Sequence, residues 1–172
     1  MKNKIKVLLL VLFLVIMATL VFKVYDTINT KTNTQLGRLT EFAMRTMNNR
    51  TFSRLDLETD RKKIFVHFNS QCDICQNEAL KFRENQSDLK MFQILFVSTE
   101  QPDMIVQFAS DYELLKVENI TFLYDQDKEF EKWTNSSRVP YILVYDEHDV
   151  LIYKHKGITD FAELLKVLER AD

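Results

Sequence analysis

The 172-residue chain has few of the residues that shape loops or bind metals: two glycines, two prolines, two cysteines and three histidines. With so few glycines and prolines, most turns must be made by Asn, Asp and Ser, whose side chains hydrogen-bond to nearby backbone. A structural zinc site needs about four cysteine or histidine ligands. Because His67 is the only histidine near the cysteines in sequence, we expect no metal site.

The charge is balanced, with 23 lysines and arginines against 25 aspartates and glutamates and a formal net charge of −2. A nucleic-acid-binding protein usually carries a basic patch or stripe. No such stripe is present, so nucleic acid is not an expected partner. The length suits one domain with an appendage, and we find no internal repeat.

The apolar residues are concentrated near the N-terminus, where only Thr19 interrupts the run Val7–Phe22. This run is slightly short for a bilayer core, but flanking apolar residues extend it while the lysines beside it reach outward. Residues 1–25 are therefore predicted to be a transmembrane signal anchor. A cleaved signal peptide is the alternative, although no small-x-small cleavage site follows a shorter apolar core.

The anchor predicts where the rest of the chain lies. Three lysines precede the apolar run, which favours a cytoplasmic N-terminus: Lys2, Lys4 and Lys6. The protein is thus expected in the cytoplasmic (inner) membrane as a single-pass protein, with its main domain in the periplasm or extracytoplasmic space. We interpret residues 26–50 as a polar tether followed by a short helix, and residues 51–172 as that domain.

The two cysteines, Cys72 and Cys75, stand between a strand-like segment, Ile64–Phe68, and an amphipathic helical pattern. Unpaired backbone N–H groups and the helix dipole at a helix N-terminus favour thiolate over thiol, and the thiolate is the reactive species. The second cysteine comes about one turn later, within reach of the first. This arrangement indicates thiol–disulfide exchange through a redox-active Cys72–Cys75 pair.

Other interpretations of the cysteines are less favoured. Haem attachment needs a histidine directly after the second cysteine, and Gln76 stands there. A structural disulfide across two residues would close almost no loop and stabilise little. Two unrelated buried cysteines remain an alternative.

Strands and helices alternate after residue 63, which predicts an α/β sheet with an antiparallel edge. An edge strand is also expected near 52–57, and a helix between Leu36 and Met47. The expected strands are 64–68, 91–98, 120–124, 139–145 and 150–156, and the expected helices are 73–85, a helix starting at Pro102, 127–133 and a closing helix that includes Phe161 and Leu168.

This order resembles the thioredoxin fold, and more closely the membrane-anchored TlpA/ResA-like (AhpC/TSA-redoxin-related) thiol–disulfide oxidoreductases of bacteria. The resemblance covers about Phe52 to Asp172. It rests on the strand–Cys72–Cys75–helix unit, on Val139-Pro140 before a late strand, and on Gly157 beyond the next hairpin. It implies a mixed central sheet flanked by helices, and no cofactor.

The resemblance also implies roles for five residues. Cys72 would be the attacking nucleophile and Cys75 the resolving thiol. Pro140 would be cis and lie opposite the disulfide, with the backbone of Val139 pairing with an extended substrate; an ordinary strand-initiating proline is the alternative. Glu78 completes a CxxCxxE pattern and would tune the cysteine pKa values or relay protons; the alternative is a solvated acid on the helix face.

Several residues depart from the family pattern. Gln71 replaces a common aromatic residue, Ile74 replaces a frequent proline, and His67 stands in place of thioredoxin's buried acid. His67 is a candidate proton relay, or else a satisfied buried histidine. Asp73 would oppose thiolate formation, whereas the helix terminus favours it.

The sequence thus predicts a membrane-tethered oxidoreductase that reduces disulfides of exported proteins, with apocytochromes among the candidates. Such a reductase would need a DsbD/CcdA-like membrane electron donor. The alternatives are a redox-inert binding module and a Sco-like copper metallochaperone, which would use His148 or His155 but whose family spaces its cysteines CxxxC. A peroxiredoxin is not expected, because the Pro and Thr that precede its cysteine are absent.

Overall fold

The computed structural model describes residue 6, residues 12–23 and residues 37–170. The chain divides into two units, Met1–Gln35 and Leu36–Asp172. In the first unit, residues 12–23 form helix α1. The described residues contain no helix with the length and hydropathy required to cross a bilayer. The whole polar tether, residues 24–25 and most of residues 1–11 of the predicted anchor lie outside the described residues.

The second unit is built on one seven-stranded sheet. Its strands are β1 (Ala43–Thr46), β2 (Thr51–Ser53), β3 (Lys63–His67), β4 (Gln93–Ser98), β5 (Ile120–Tyr124), β6 (Tyr141–Tyr145) and β7 (Leu151–Lys156), and its helices are α2 (Asp73–Glu84), α3 (Gln86–Leu89), α4 (Pro102–Asp111), α5 (Glu129–Thr134) and α6 (Phe161–Glu169). The strand order is β2-β1-β5-β4-β3-β6-β7. Strands β3, β4 and β5 run parallel, and the other neighbouring pairs are antiparallel.

Strand β3 lies inside this sheet, between β4 and β6, and its apolar side chains are buried on both faces. Ile64 and Val66 belong to a core cluster that includes residues of α2, α4 and α6, which we call the helix-side core. Phe65 belongs to a second cluster with Trp133 of α5 and residues of the N-terminal segment, which we call the N-terminal-side core. A strand buried on both faces reads as a continuous apolar run, as observed here.

The helices begin where side chains can satisfy their first N–H groups. The Asp125 carboxylate accepts hydrogen bonds from the N–H groups of Glu129 and Phe130 at 2.7 and 2.8 Å, at the start of α5. Helix α4 begins with Pro102, which has no N–H to satisfy. Asp160 accepts from two N–H groups at the start of α6. These caps fix each helix relative to the strand before it.

Turns are made almost without glycine, as the composition predicts. Asn49, Asn135 and Asp149 have positive φ, together with Glu113 and Lys128. Gly157 has φ of +94° with no atom within 4 Å of an added Cβ, so its backbone conformation, and not lack of space, favours glycine there.

The predicted elements from residue 63 onward are confirmed, with shifts of about two residues at some ends. The helix predicted between Leu36 and Met47 is wrong. This segment is extended: it bonds to the β6–β7 turn and β7 at Gly37 and Leu39, and then forms β1 beside β5. Leu39, Phe42 and Met44 bury their side chains in the N-terminal-side core. The segment is extended because it pairs with the edge of β5 and buries its side chains in the N-terminal-side core. Helical spacing of apolar residues alone does not stabilise a helix in so short a segment.

The edge strand predicted at 52–57 is only partly correct. Strand β2 ends at Ser53, and Arg54–Asp56 form a 3₁₀ turn. The Asp56 carboxylate accepts from the N–H group of Ser53, and the Ser53 hydroxyl accepts from the N–H group of Leu55. These local side-chain bonds compete with the ladder and end the strand.

A partly buried ion cluster joins the N-terminal hairpin to the β6–β7 turn. Asp149 lies 2.7 Å from the Arg54 guanidinium and 3.0 Å from Nζ of Lys63. The Lys63 side chain is only 1% exposed. Burial alone would raise the pKa of Asp149, but hydrogen bonds and charge from Arg54 and Lys63 outweigh burial and hold that pKa below its ordinary value.

Replacing Asp149 by Asn should lower the free energy of unfolding by about 1–3 kcal/mol near pH 7, because Lys63 would keep its buried charge without a carboxylate. A depressed pKa stabilises the fold above the unfolded-state pKa, about 3.9, and this contribution is lost as pH falls. The difference between wild type and D149N in urea unfolding should therefore shrink as pH falls below about 4 and disappear below the folded-state pKa of Asp149, which is lower still. The control, Glu113→Gln, breaks the exposed Arg83–Glu113 pair and should cost at most about 0.5 kcal/mol. A pH-independent gap would contradict this account.

Candidate active site

Cys72 occupies the N-cap position of α2, with extended backbone angles of −91° and 113°. Its carbonyl accepts a hydrogen bond from the N–H group of Gln76 at 3.0 Å, and its own N–H group donates to the carbonyl of Asn69 at 3.2 Å. The side chain of Cys72 is partly exposed. The predicted position of Cys72 at the start of this helix is thus confirmed.

Cys75 lies beneath Cys72 and is 1% exposed. Burial raises the pKa of the Cys75 thiol to about 12, and its hydrogen bond with Cys72 and the charge of Glu78 act in the same direction. A hydrogen bond from the backbone of Asn69 acts against these effects. Both cysteines are free thiols in this structure. The two thiols therefore lie close together but differ in their access to solvent.

The Val139–Pro140 peptide bond is cis, as the resemblance implies. The carbonyl of Pro140 accepts from the N–H group of Gly157 at 2.9 Å. Tyr141, the first residue of β6, lies opposite His67 at the end of β3. Val139 and Pro140 therefore lie beyond the β3–β6 ladder, on the same sheet edge as the loop to Cys72.

Glu78 is 1% exposed, so the interpretation as a solvated acid on the helix face is wrong. Its Oε1 atom accepts from the N–H group of Thr159 at 2.8 Å and lies 3.4 Å from Nζ of Lys81. Its Oε2 atom is buried without a hydrogen-bond partner among the described residues. A carboxylate held under the cysteine-bearing turn in this way lowers the tendency of Cys75 to ionise.

An open cavity of about 370 Å³ lies over Glu78 and extends to Ile74, the second residue of α2. Its rim carries apolar side chains, and Ile158 is 67% exposed. The lining residues are Ile74, Asn77, Glu78, Leu80, Lys81, Glu84 and Ile158. This surface offers apolar contact close to the cysteines.

His67 does not lie beside the cysteines, contrary to the proton-relay expectation. Its ring centroid is 4.7 Å from that of Phe130, in the N-terminal-side core, whereas Cys75 belongs to the helix-side core. Neighbouring residues of a strand point to opposite faces, and Val66 is the one that faces α2. Burial lowers the pKa of His67, opposed by the charge of Glu131 and by the backbone of Arg138. Its Nδ1 atom has no partner among the described residues.

The structure does not bring His148 to the cysteines. It lies in the β6–β7 turn, at the end of β6 that adjoins Lys63, the start of β3, whereas Cys72 follows the opposite end of β3. Within the described ranges, no three His, Cys, Asp or Glu side chains are grouped to hold a metal ion.

Sequence reasoning missed Glu100, which follows β4. Its carboxylate accepts hydrogen bonds from the N–H and hydroxyl groups of Ser70, at 2.6 and 2.7 Å. Ser70 lies two residues before Cys72, but 30 residues from Glu100. The available signal was positional: the carboxyl ends of parallel strands meet at one sheet edge, so the loops after β3 and β4 adjoin.

A sequence profile of the AhpC/TSA family matches residues 37–160, most of the chain. The chain belongs to the AhpC/TSA family. This AhpC/TSA match begins ahead of β1, so it includes the strand that the sequence analysis did not anticipate. A comparison with curated protein sequences found no significant match.

Solved structures confirm the thioredoxin-like fold of this AhpC/TSA protein. DsbF of Mycobacterium tuberculosis, in mixed oxidised and reduced forms, is 19% identical, with 78% of this chain and 94% of that chain covered and a TM-score of 0.64. A secreted disulfide oxidoreductase of the same organism, homologous to E. coli DsbE, is 17% identical, with 79% and 97% covered and a TM-score of 0.63.

A putative thioredoxin from Neisseria meningitidis is 22% identical, with 74% and 84% covered and a TM-score of 0.63. At these identities the likeness establishes the fold, and the family match adds the relationship by sequence. The expectation of a thiol–disulfide oxidoreductase is therefore supported by the family and the fold together.

The Cys75 thiol should titrate far above neutral pH, near 12, because it is buried beside Glu78. In Glu78→Gln the pKa of Cys75 should fall, because the substitution removes a like charge. The titration of the Cys75 Cβ chemical shift, followed by NMR on the reduced protein, measures both values. The matched control is Glu84→Gln, on the exposed side of the same helix, which should leave the titration unchanged. A wild-type midpoint at or below 9 would contradict the role of burial.

Proposed function

We propose that this chain is a membrane-tethered extracytoplasmic thiol–disulfide oxidoreductase that reduces disulfides in exported proteins. The observation that carries the proposal is the difference between its two thiols. Cys72 is reachable at the N-terminus of a helix, and Cys75 is buried directly below it with a pKa of about 12. In such a dithiol pair the reachable thiol attacks the substrate, and the buried thiol resolves the mixed disulfide.

The reaction is a two-step exchange. The Cys72 thiolate attacks one sulfur of a substrate disulfide, forms a mixed disulfide and releases the other substrate sulfur as a thiolate that takes up a proton. Cys75 then loses its proton and attacks the Cys72 sulfur, which releases the second substrate thiolate. The substrate gains two electrons, and the enzyme is left with a Cys72–Cys75 disulfide.

Substrate binding would use the surface beside the cysteines. The backbone at Val139 lies beyond the β3–β6 ladder and would pair with an extended segment, as in peptide recognition by strand addition. The apolar rim at Ile74, Leu80 and Ile158 offers contact for apolar side chains near the target disulfide. Exported proteins, apocytochromes among them, supply such extended segments before they fold.

A reductase outside the cytoplasm must be re-reduced, since each turnover leaves it oxidised. A membrane protein of the DsbD/CcdA type would supply two electrons through a dithiol, and the predicted anchor at residues 1–25 would keep the domain near that donor. Disulfides persist outside the cytoplasm, which provides both substrates and the need for a dedicated reductant.

The reduction potential of the Cys72–Cys75 pair decides the direction of exchange. A value near −270 mV or below, the scale of thioredoxin, is expected and would support the reductase. A value above about −180 mV would instead indicate disulfide formation or shuffling. Equilibration with glutathione or dithiothreitol buffers gives the value, and Cys72→Ser is the control that cannot form the disulfide. If wild type forms no disulfide, the enzyme proposal fails; retention of Cu(I) by the reduced protein would then favour a metallochaperone.

The proposed topology makes Cys72 accessible from outside the cell membrane. A membrane-impermeant maleimide added to intact spheroplasts should label the full-length protein, and Cys72→Ser should abolish this labelling because Cys75 is buried. The labelled protein should sediment with membranes and stay there after carbonate extraction. Labelling only after the cells are lysed would place the domain in the cytoplasm, and release by carbonate would argue against the anchor.

A further inference from the structure

Glu100 stands where two loops of the active-site edge meet. It follows β4, and its two carboxylate oxygens accept hydrogen bonds from the N–H group of Ser70 at 2.6 Å and from the Ser70 hydroxyl at 2.7 Å. Ser70 itself is buried. Hydrogen bonds to a charged acceptor are among the stronger ones in proteins, so this pair ties the loop after β3 to the loop after β4.

The Glu100 side chain is itself held in place. The hydroxyl of Ser98 donates to its Oε2 atom at 3.2 Å, and the N–H group of Glu100 donates to the same hydroxyl at 3.2 Å. Ser98 is fully buried at the end of β4. The Glu100 carboxylate therefore fixes the loop after β3 relative to the end of β4.

The other backbone group of Ser70 is also used. Its carbonyl accepts from the side-chain amide of Gln76 at 2.9 Å, and Gln76 follows Cys75 on helix α2. Ser70 is thus tied to β4 on one side and to α2 on the other. We call these contacts the Glu100–Ser70–Gln76 clamp.

The clamp acts on the two residues that flank Ser70 in the turn to Cys72. Asn69 accepts from the N–H group of Cys72 and from that of Gln71, and its backbone hydrogen-bonds to Cys75. A displacement of Ser70 would therefore move Asn69 against both cysteines. Errors of about 1 Å in the placement of reacting groups can cost roughly 100-fold in rate.

We propose that Glu100 is a positioning residue for thiol–disulfide exchange, which it serves by holding Ser70 and so fixing the loop that delivers Cys72 to the helix terminus. The inference rests on the proposed exchange at Cys72 and Cys75. Glu100 acts through its two hydrogen bonds to the loop, and Gln76 completes the clamp from the helix side.

The test is the second-order rate constant of the reduced full-length protein with the disulfide reagent 5,5′-dithiobis(2-nitrobenzoate), measured from pH 5 to 9. Glu100→Ala removes both acceptors and should lower the high-pH plateau about tenfold. Glu100→Gln keeps one acceptor for the Ser70 N–H and an amide donor for its hydroxyl, and should recover the rate to within about threefold of wild type. The control is Glu118→Ala, which should leave the rate unchanged. Glu118 is exposed and lies at the opposite edge of the sheet, beside the start of β5.

The variants separate positioning from charge and from folding. If Glu100→Gln is as slow as Glu100→Ala, or if both only shift the midpoint of the pH profile, the negative charge and not the clamp matters and the proposal is overturned. A rate within about twofold of wild type for Glu100→Ala also overturns it. If Glu100→Ala fails to fold, as judged by circular dichroism, Gln76→Ala provides the test instead. The clamp predicts that this variant reacts about threefold more slowly than wild type. An unchanged rate would contradict the clamp.

The same experiment distinguishes this inference from the proposed function. If the wild-type protein does not react, or if Cys72→Ser reacts as fast as wild type, exchange at Cys72 itself is wrong. If wild type reacts through Cys72 and the Glu100 variants do not differ from it, only the role of Glu100 is wrong.

Discussion

The burial of β3 on both faces and along both edges is the constraint on which the rest of the structure depends. Hydrogen bonds to β4 and β6 and the two apolar cores leave this strand one position in the sheet. The carboxyl end of β3 therefore fixes the position of Cys72 at the N-terminus of α2. A site built on a buried strand is held more rigidly than one built on an exposed loop.

The contrast between the two cysteines follows from that geometry. Helix α2 packs one face into the helix-side core, and Cys75 and Glu78 lie on this buried face. Burial then raises the pKa of Cys75, and the nearby buried carboxylate reinforces the effect. Cys72, at the rim of the same helix, keeps its access to solvent. One packed helix thus creates two thiols with different chemistry.

The loops around Cys72 show how the sheet edge assembles the site from distant segments. Glu100 follows β4, the cis Val139–Pro140 bond precedes β6, and both reach the carboxyl end of β3 because their strands flank it. His67 lies at this end as well, but its ring faces Phe130 on the other side of the sheet. It pairs with Tyr141, the residue after Pro140, and its ring lies away from the thiols.

The sequence by itself determined the order of elements from residue 63 and the cysteine pair at a helix start, because apolar periodicity and short motifs are local. The cis state of Pro140 was an expectation from the family resemblance, and the structure bears it out. The tertiary structure decided the rest. Residues 37–46 are extended because a free edge at β5 and an apolar surface were available, which helical spacing cannot reveal. Glu78 is buried, His67 faces away and Glu100 reaches Ser70 because of packing across the sheet. Those outcomes depend on which faces and loops meet in three dimensions, and a linear pattern does not encode that directly.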